Sequence, residues 1–227
     1  MKRLLFFIVA LVCVQLTFSQ DISVTQANDS LDYNYKEDQY YFGVTYNTLT
    51  NMPNGMSQNG FSSGFQIGLI KDVPINKRRN IAIGMGLGYS TNSINHNLLI
   101  LKTQDNSYTY ELLNDSEFTK NIEVPLEFRW RTSTASSYKF WRIYTGIKFG
   151  YVFASNTKFK NASGQIKNNN IKDFNQLQYG LTLAIGYDSW NAYMHYTLNS
   201  IFNSKAQLNS DNLDVKMLKI GIMLYIL

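Results

Sequence analysis

Two stretches of the chain, residues 81–91 and 216–227, alternate large apolar side chains with small or polar ones. Ile81, Ile83, Met85, Leu87 and Tyr89 mark one face of the first, and Ala82, Gly84, Gly86 and Gly88 the other. In the second, Leu218, Ile220, Ile222, Leu224 and Ile226 alternate with Lys219, Gly221, Met223 and Tyr225. A period of two with one apolar face marks a β-strand half in contact with something greasy. Each run is about ten residues or longer, the length a tilted strand needs to cross a bilayer.

The same period predicts strands over 39–49, 61–71, 118–131, 139–154, 174–187 and 192–202. In 118–131, Ile122, Val124, Leu126, Phe128 and Trp130 oppose Glu123, Pro125, Glu127, Arg129 and Arg131. In 139–154, Trp141, Ile143, Ile147, Phe149, Tyr151 and Phe153 oppose Arg142, Tyr144, Gly146, Lys148 and Gly150. Long polar connections are expected at 51–60, 92–117, 155–173 and 203–214, and short ones at 72–80, 132–138 and 188–191. Long and short alternate, so the expectation is all-β: an eight-stranded antiparallel transmembrane β-barrel of the outer-membrane type, closed by the last strand. Closure is required, because an open edge would leave unpaired backbone groups in hydrocarbon. Short turns and both termini fall on the periplasmic side.

The rival is a soluble eight-stranded barrel or a sandwich, which would show the same alternation. The alternate positions decide between them. In 61–71, 81–91 and 174–187 they are mostly Gly, Ala, Ser, Thr and Gln, which suit a crowded lumen and make a poor solvated surface.

The first residues are read apart from the fold. Lys2 and Arg3 precede an apolar run over 4–16, and Thr17-Phe18-Ser19 supplies small residues for a signal peptidase. The division is a signal peptide over 1–19, a polar lead-in over 20–38 and a barrel domain over 39–227, with cleavage after Ser19 or Gln20. Cys13 falls in the leader, and Ala10-Leu11-Val12 is not the sequence of a lipidation site. The mature chain then has no thiol or disulfide chemistry. Loss of Lys2 and Arg3 lowers the formal net charge from +5 to +3. No dense basic patch remains, and no nucleic-acid partner is expected.

Candidate chemistry centres on Glu123, Glu127, Arg129 and Arg131, with Arg142 and Lys148 on the next predicted strand. With the apolar face outward, these six charges point inward as an ion-pair network filling a narrow lumen. Lys216 and Lys219 join only if strand parity allows. Gly84, Gly86, Gly88, Gly180 and Gly186 are the small lumen residues, there for close packing or strand curvature. A catalytic dyad is disfavoured: Glu123 and Glu127 lie about 13–14 Å apart by strand rise, beside arginines. His96 and His195 stand without cysteine partners, so no metal site is expected, nor any catalytic or cofactor-binding residue.

The run Asn121-Ile122-Glu123-Val124-Pro125-Leu126-Glu127-Phe128-Arg129-Trp130-Arg131-Thr132 resembles the I-E-(I/V)-P-L-E-x-R-x-R-T segment of the PorT family, outer-membrane barrels of the Bacteroidota. Tyr144-Thr145-Gly146-Ile147-Lys148-Phe149-Gly150-Tyr151 and Asp173-Phe174-Asn175-Gln176-Leu177-Gln178-Tyr179-Gly180-Leu181-Thr182 are similar to that family's following strands. The resemblance implies an outer-membrane component required for type IX protein secretion, coupled in some gliding bacteria to motility, with no enzyme activity and no cofactor. It implies partners in outer-membrane lipid and in other secretion-machinery proteins. Residues 92–117 and 155–173 would supply outer contacts, and 72–80, 132–138 and the lead-in periplasmic ones. Two alternatives stay open. One is a stand-alone structural or adhesive barrel; the other is a small lipid-modifying enzyme, which needs His195 within hydrogen-bond reach of a serine.

Overall fold

The structure is a computed structural model that describes residues 38–103, 105, 107–133, 139–161, 164–209 and 211–226. The expected leader, the lead-in up to residue 37, residues 134–138 of one expected turn and Leu227 lie outside the described residues.

Among the described residues the regular structure is all β. The strands are β1 (Gln39–Thr50), β2 (Ser63–Pro74), β3 (Ile81–Lys102), β4 (Tyr108–Arg131), β5 (Trp141–Asn161), β6 (Gly164–Asn169), β7 (Leu177–Tyr187), β8 (Trp190–Thr197), β9 (Gln207–Leu208), β10 (Asp211–Asn212) and β11 (Lys216–Ile226). The antiparallel order β4-β3-β2-β1-β11-β8-β7-β5 is joined by a further β4–β5 pairing, so the sheet is barrel-like. β1 pairs with β11 from Tyr40↔Ile226 to Thr50↔Lys216, which brings the last strand beside the first. One end of this sheet carries the β2–β3, β4–β5 and β7–β8 turns; the other carries the longer connections. We refer to them as the turn end and the loop end.

Side chains are distributed inside out relative to a water-soluble protein. On β4, Ile122, Val124, Leu126, Phe128 and Trp130 are exposed, while Arg129 and Arg131 are 0% exposed. On β11, Ile220 and Ile222 are exposed and Met223 and Tyr225 are buried. Tyr40, Phe42, Val44 and Tyr46 of β1 also face outward, with Tyr41, Thr45 and Asn47 buried between them. A contiguous apolar wall of this extent needs an apolar surrounding.

The strands differ from the sequence reading chiefly at the loop end. Residues 92–117 and 155–173, expected as loops, are largely strand: β3 and β4 continue to a hairpin tip near Asp105, and β5 runs on to pair with β6. Alternation persists there through Asn97, with Asn92, Ile94 and His96 buried and their neighbours partly exposed, before Leu98, Leu99 and Ile100 are all buried. Mixed polar and apolar residues on the buried face conceal the period. The expected strand over 192–202 is instead β8, Trp190–Thr197; beyond it Ile201 and Phe202 turn into a buried cluster. The β7–β8 connection tightens to Asp188 and Ser189, with Asp188 at φ 56°. β6, β9 and β10 are additional to the expected strands.

That cluster is a second core. Leu49, Met56, Ile94, Leu98, Ile100, Ile171, Phe174, Ile201, Phe202, Leu208, Leu213 and Val215 pack together at the loop end. Phe174 stacks on Phe202 at 5.0 Å, and Asn168 Nδ2 donates to the Ile100 carbonyl at 2.6 Å. The barrel is thus roofed by apolar packing rather than left as an open mouth.

Candidate functional site

The period of two that sends Ile122 to Trp130 outward also sends Glu123, Glu127, Arg129 and Arg131 into the lumen, where β5 adds Arg142 and Lys148. All six are buried. They fall into two groups.

Near the turn end, Arg129 Nη1 lies 2.5 Å from Asp72 Oδ1, its Nε 3.2 Å from Glu127 Oε2, and its Nη2 donates to Gln39 Oε1 at 3.0 Å. Arg131 Nη1 pairs with the other Asp72 oxygen, and its Nη2 donates to the Arg79 carbonyl at 3.0 Å. The Arg129 guanidinium also lies over the Tyr144 ring, 4.2 Å from its centroid. One carboxylate from β2 thus serves two arginines from β4, with charge-assisted bonds of the strong kind. Arg142 takes a different role: it stacks on Phe140 at 4.5 Å, and its Nε and Nη1 have no hydrogen-bond partner among the described residues.

Midway along the barrel, Glu123 takes Lys148 at 3.1 Å, Lys219 at 3.8 Å and the Ser90 hydroxyl at 2.7 Å. Lys148 Nζ donates to Gln66 Oε1 at 2.6 Å and lies 5.1 Å from the Tyr193 ring centroid. The space left among Glu123, Lys148, Gln178, His195 and Lys219 is about 10 Å³, room for a single water at most.

Parity separates the two lysines of β11. Lys219 is buried at Glu123, while Lys216 is only half-buried on the other face. Asp72 is the member that sequence reading misses. The expected connection 72–80 includes it, but β2 runs to Pro74 and carries it onto the face of Gln66 and Ile70. The signal was present in that strand's parity, masked by Val73-Pro74.

The glycines have two explanations. A β-carbon on Gly88 would collide with the Tyr41 hydroxyl, and one on Gly84 would lie 2.8 Å from Arg129 Cδ. These two give room to long side chains. At Gly86, Gly180 and Gly186 the collision would be with the carbonyls of Leu69, Tyr196 and Trp190, so the constraint there is close approach of neighbouring backbone.

Among the described residues no cluster of three His, Cys, Asp or Glu could hold a metal ion. His195 Nδ1 has no hydrogen-bond partner among them, and His96 Nδ1 accepts from the Leu98 amide at 3.1 Å. The serine–histidine contact that a lipid-modifying enzyme requires is not made at His195 Nδ1. Asp72, Glu123 and Glu127 are each ion-paired with buried cations.

Residues 18–205 match the family described as outer membrane protein beta-barrel domain. Among solved structures the chain is similar to Ail, the attachment invasion locus protein of Yersinia pestis. The identity is 14% over 84% of this chain and 99% of that one, at a TM-score of 0.36. A second Ail structure gives 12% identity over 84% and 97%, at 0.35. A porin of Rhodopseudomonas blastica gives 6% over 85% and 100%, at 0.22. No curated protein matches the chain at a significant level.

Proposed function

Because this chain belongs to the outer membrane protein beta-barrel domain family, we propose that it is an eight-stranded transmembrane barrel that works through the surfaces it presents and not through transport along its axis. β1–β5, β7, β8 and β11 cross the membrane, with the turn end and both termini periplasmic. Residues 1–19 are the export signal and 20–38 a periplasmic lead-in. The observation that carries the reading is the lumen. Asp72, Glu127, Arg129 and Arg131 occupy it as one ion-paired group and Glu123 with Lys148 as another, and the loop-end core roofs it. A barrel filled in this way is a rigid, non-conducting stem for what stands at its loop end. The purified chain should show heat-modifiable mobility on gels and leave planar bilayers silent. Stable single-channel steps would refute the filled stem.

This favours a stand-alone structural or adhesive barrel. A second reading, a component of type IX secretion with partners among the other secretion-machinery proteins, is supported by the likeness of residues 121–132 to the PorT segment. In this account that segment has a structural use. Glu123, Glu127, Arg129 and Arg131 all point into the lumen, so the motif describes how the stem is fastened. Partner contacts would then come from the β3–β4 and β5–β6 hairpins. Removing the β3–β4 tip between Lys102 and Tyr108 should leave the barrel folded. Loss of secretion would support the second reading, and unchanged secretion the first.

A further inference from the structure

One strand of the large sheet stands outside the ring. β5 is forked: up to Tyr151 it pairs with β4 on one side and β7 on the other, and from Asn156 onward the second side passes to β6. β6 is the last strand of the sheet, and β5 is its only paired neighbour among the described residues. Their register runs from Asn156↔Asn169 to Asn161↔Gly164 without a slip. Just below it, the Asn170 amide donates to the Ser155 carbonyl at 2.6 Å. Antiparallel bonding alternates from there, so Asn168, Ile166 and Gly164 turn their backbone groups to β5. Gln165, Lys167 and Asn169 turn theirs the other way, where they meet no backbone partner among the described residues.

Of the usual guards on an open edge, β6 has Lys167 but neither proline nor bulge. The strand is also held from behind. The Asn168 side chain donates to the Ile100 carbonyl at 2.6 Å, Asn170 ends the strand at φ 53°, and Ile171 enters the loop-end core. An edge fixed in this way is ordered before anything binds, which removes one cost of association. It lies at the loop end, past the exposed rings of Tyr151 and Phe153 on β5.

We propose that β6 is a docking edge for an extended segment of another polypeptide, which adds to the sheet as a further strand. The row of alternating N–H and C=O groups is matched by the same row on an extended chain. A second copy of this chain fits worse. Two copies in one membrane are related by rotation about the membrane normal, which sets equal groups of two β6 edges at equal heights, N–H against N–H. The partner is therefore a different protein. The inference deepens the stand-alone adhesive reading and rests on it, with the loop end outside.

The test pans a display library of short random peptides against the full chain refolded in detergent. Selected peptides are followed by fluorescence anisotropy and residue-level amide exchange. Exchange at Gln165, Lys167 and Asn169 should slow at least about tenfold on binding, while Ile166 and Asn168, already bonded to β5, stay as they were. Lys167→Pro removes the central edge donor and no β5–β6 bond. It should weaken binding at least about tenfold, whereas Lys167→Thr, which keeps the N–H and discards the charge, should hold affinity within about twofold. N-methylation of alternate peptide residues should abolish binding in one phase and spare it in the other, with the barrel itself unaltered. A library without binders, equal binding by Lys167→Pro and the parent, or indifference to the phase of methylation overturns the proposal. So does Lys167 exchange that slows with protein concentration in the absence of peptide, which marks a second copy on the edge. Heat-modifiable mobility and silent bilayers judge the stem separately, so a folded, silent barrel whose edge takes no peptide sinks this inference alone.

Discussion

Tyr41 of β1 lies across the lumen face of β3, its hydroxyl standing where a β-carbon of Gly88 would be. Gly68 of β2 lies between them in register and is just as crowded, its own β-carbon position 2.6 Å from the Tyr41 ring. Large and absent side chains thus alternate around the inside of the barrel, which lets a tyrosine lie flat where eight facing side chains could not fit.

The contact yields a coupled prediction. Gly88→Ala should cost about 1–3 kcal/mol, the usual penalty for overfilling a packed interior. Tyr41→Phe removes the atom in the way, so it should recover part of that loss in the Gly88→Ala background and none in a Gly68→Ala background. Urea unfolding in detergent, followed by the heat-modifiable band, measures the cycle. Independent, additive losses would mean that Tyr41 and Gly88 do not share this space.

Asp72 should prove the most costly single charge to remove at the turn end, because it holds Arg129 and Arg131 together. Asp72→Ala takes the shared carboxylate from two buried guanidinium groups and should cost about 3–5 kcal/mol. Glu127→Ala affects Arg129 alone, which keeps Asp72 and Gln39, and should cost clearly less. The same unfolding measurement ranks them. An Asp72→Ala variant as stable as the parent would remove the bridge from the account of how the stem is fastened.

The same residues show what the sequence reveals and what it conceals. Where the outward residues form an unbroken apolar face, as from Ile122 to Trp130, the parity of the inward charges between them can be read. Toward the loop end that contrast is lost, because the buried face holds Asn92 and His96 as readily as Ile94 and Leu98. Neither face of β3 then has a single character, and a hairpin reads as a loop. Asp72 was hidden differently, since Pro74 looks like a turn residue although a strand tolerates proline at its end. The loop-end core is assembled from Met56, Ile171, Phe202 and Val215, residues far apart in sequence and each ordinary alone. No local pattern announces it.

The roof should come apart without the stem. Phe174 and Phe202 stack at 5.0 Å and are both buried, so cutting either to alanine should cost about 3–5 kcal/mol locally. The membrane-crossing strands enter that cluster only through loop-end residues such as Leu49, Ile94, Leu98 and Ile100, and the ion pairs below it are untouched. Limited proteolysis of Phe174→Ala with Phe202→Ala should open new cuts in 170–176 and 198–215 while heat-modifiable mobility persists. Loss of that mobility together with the roof would show the two cores to be one cooperative unit.

The sharpest division between a membrane stem and a soluble barrel is the cost of a charge on the outer wall. Ile222 stands midway along β11, 52% exposed, with Val44 and Ala192 beside it in register. If that wall faced water, Ile222→Lys would fall within about 0.5 kcal/mol of neutral, as exposed substitutions usually do. In lipid the ammonium is stranded near the midplane and should cost about 2–4 kcal/mol, whereas the same change at Thr48 near the loop end should cost about 0–1 kcal/mol. Both variants can be unfolded from phospholipid vesicles. A depth-dependent difference between them places the apolar band in hydrocarbon, and equal, negligible costs would put it in water and leave the inward charges without their reason.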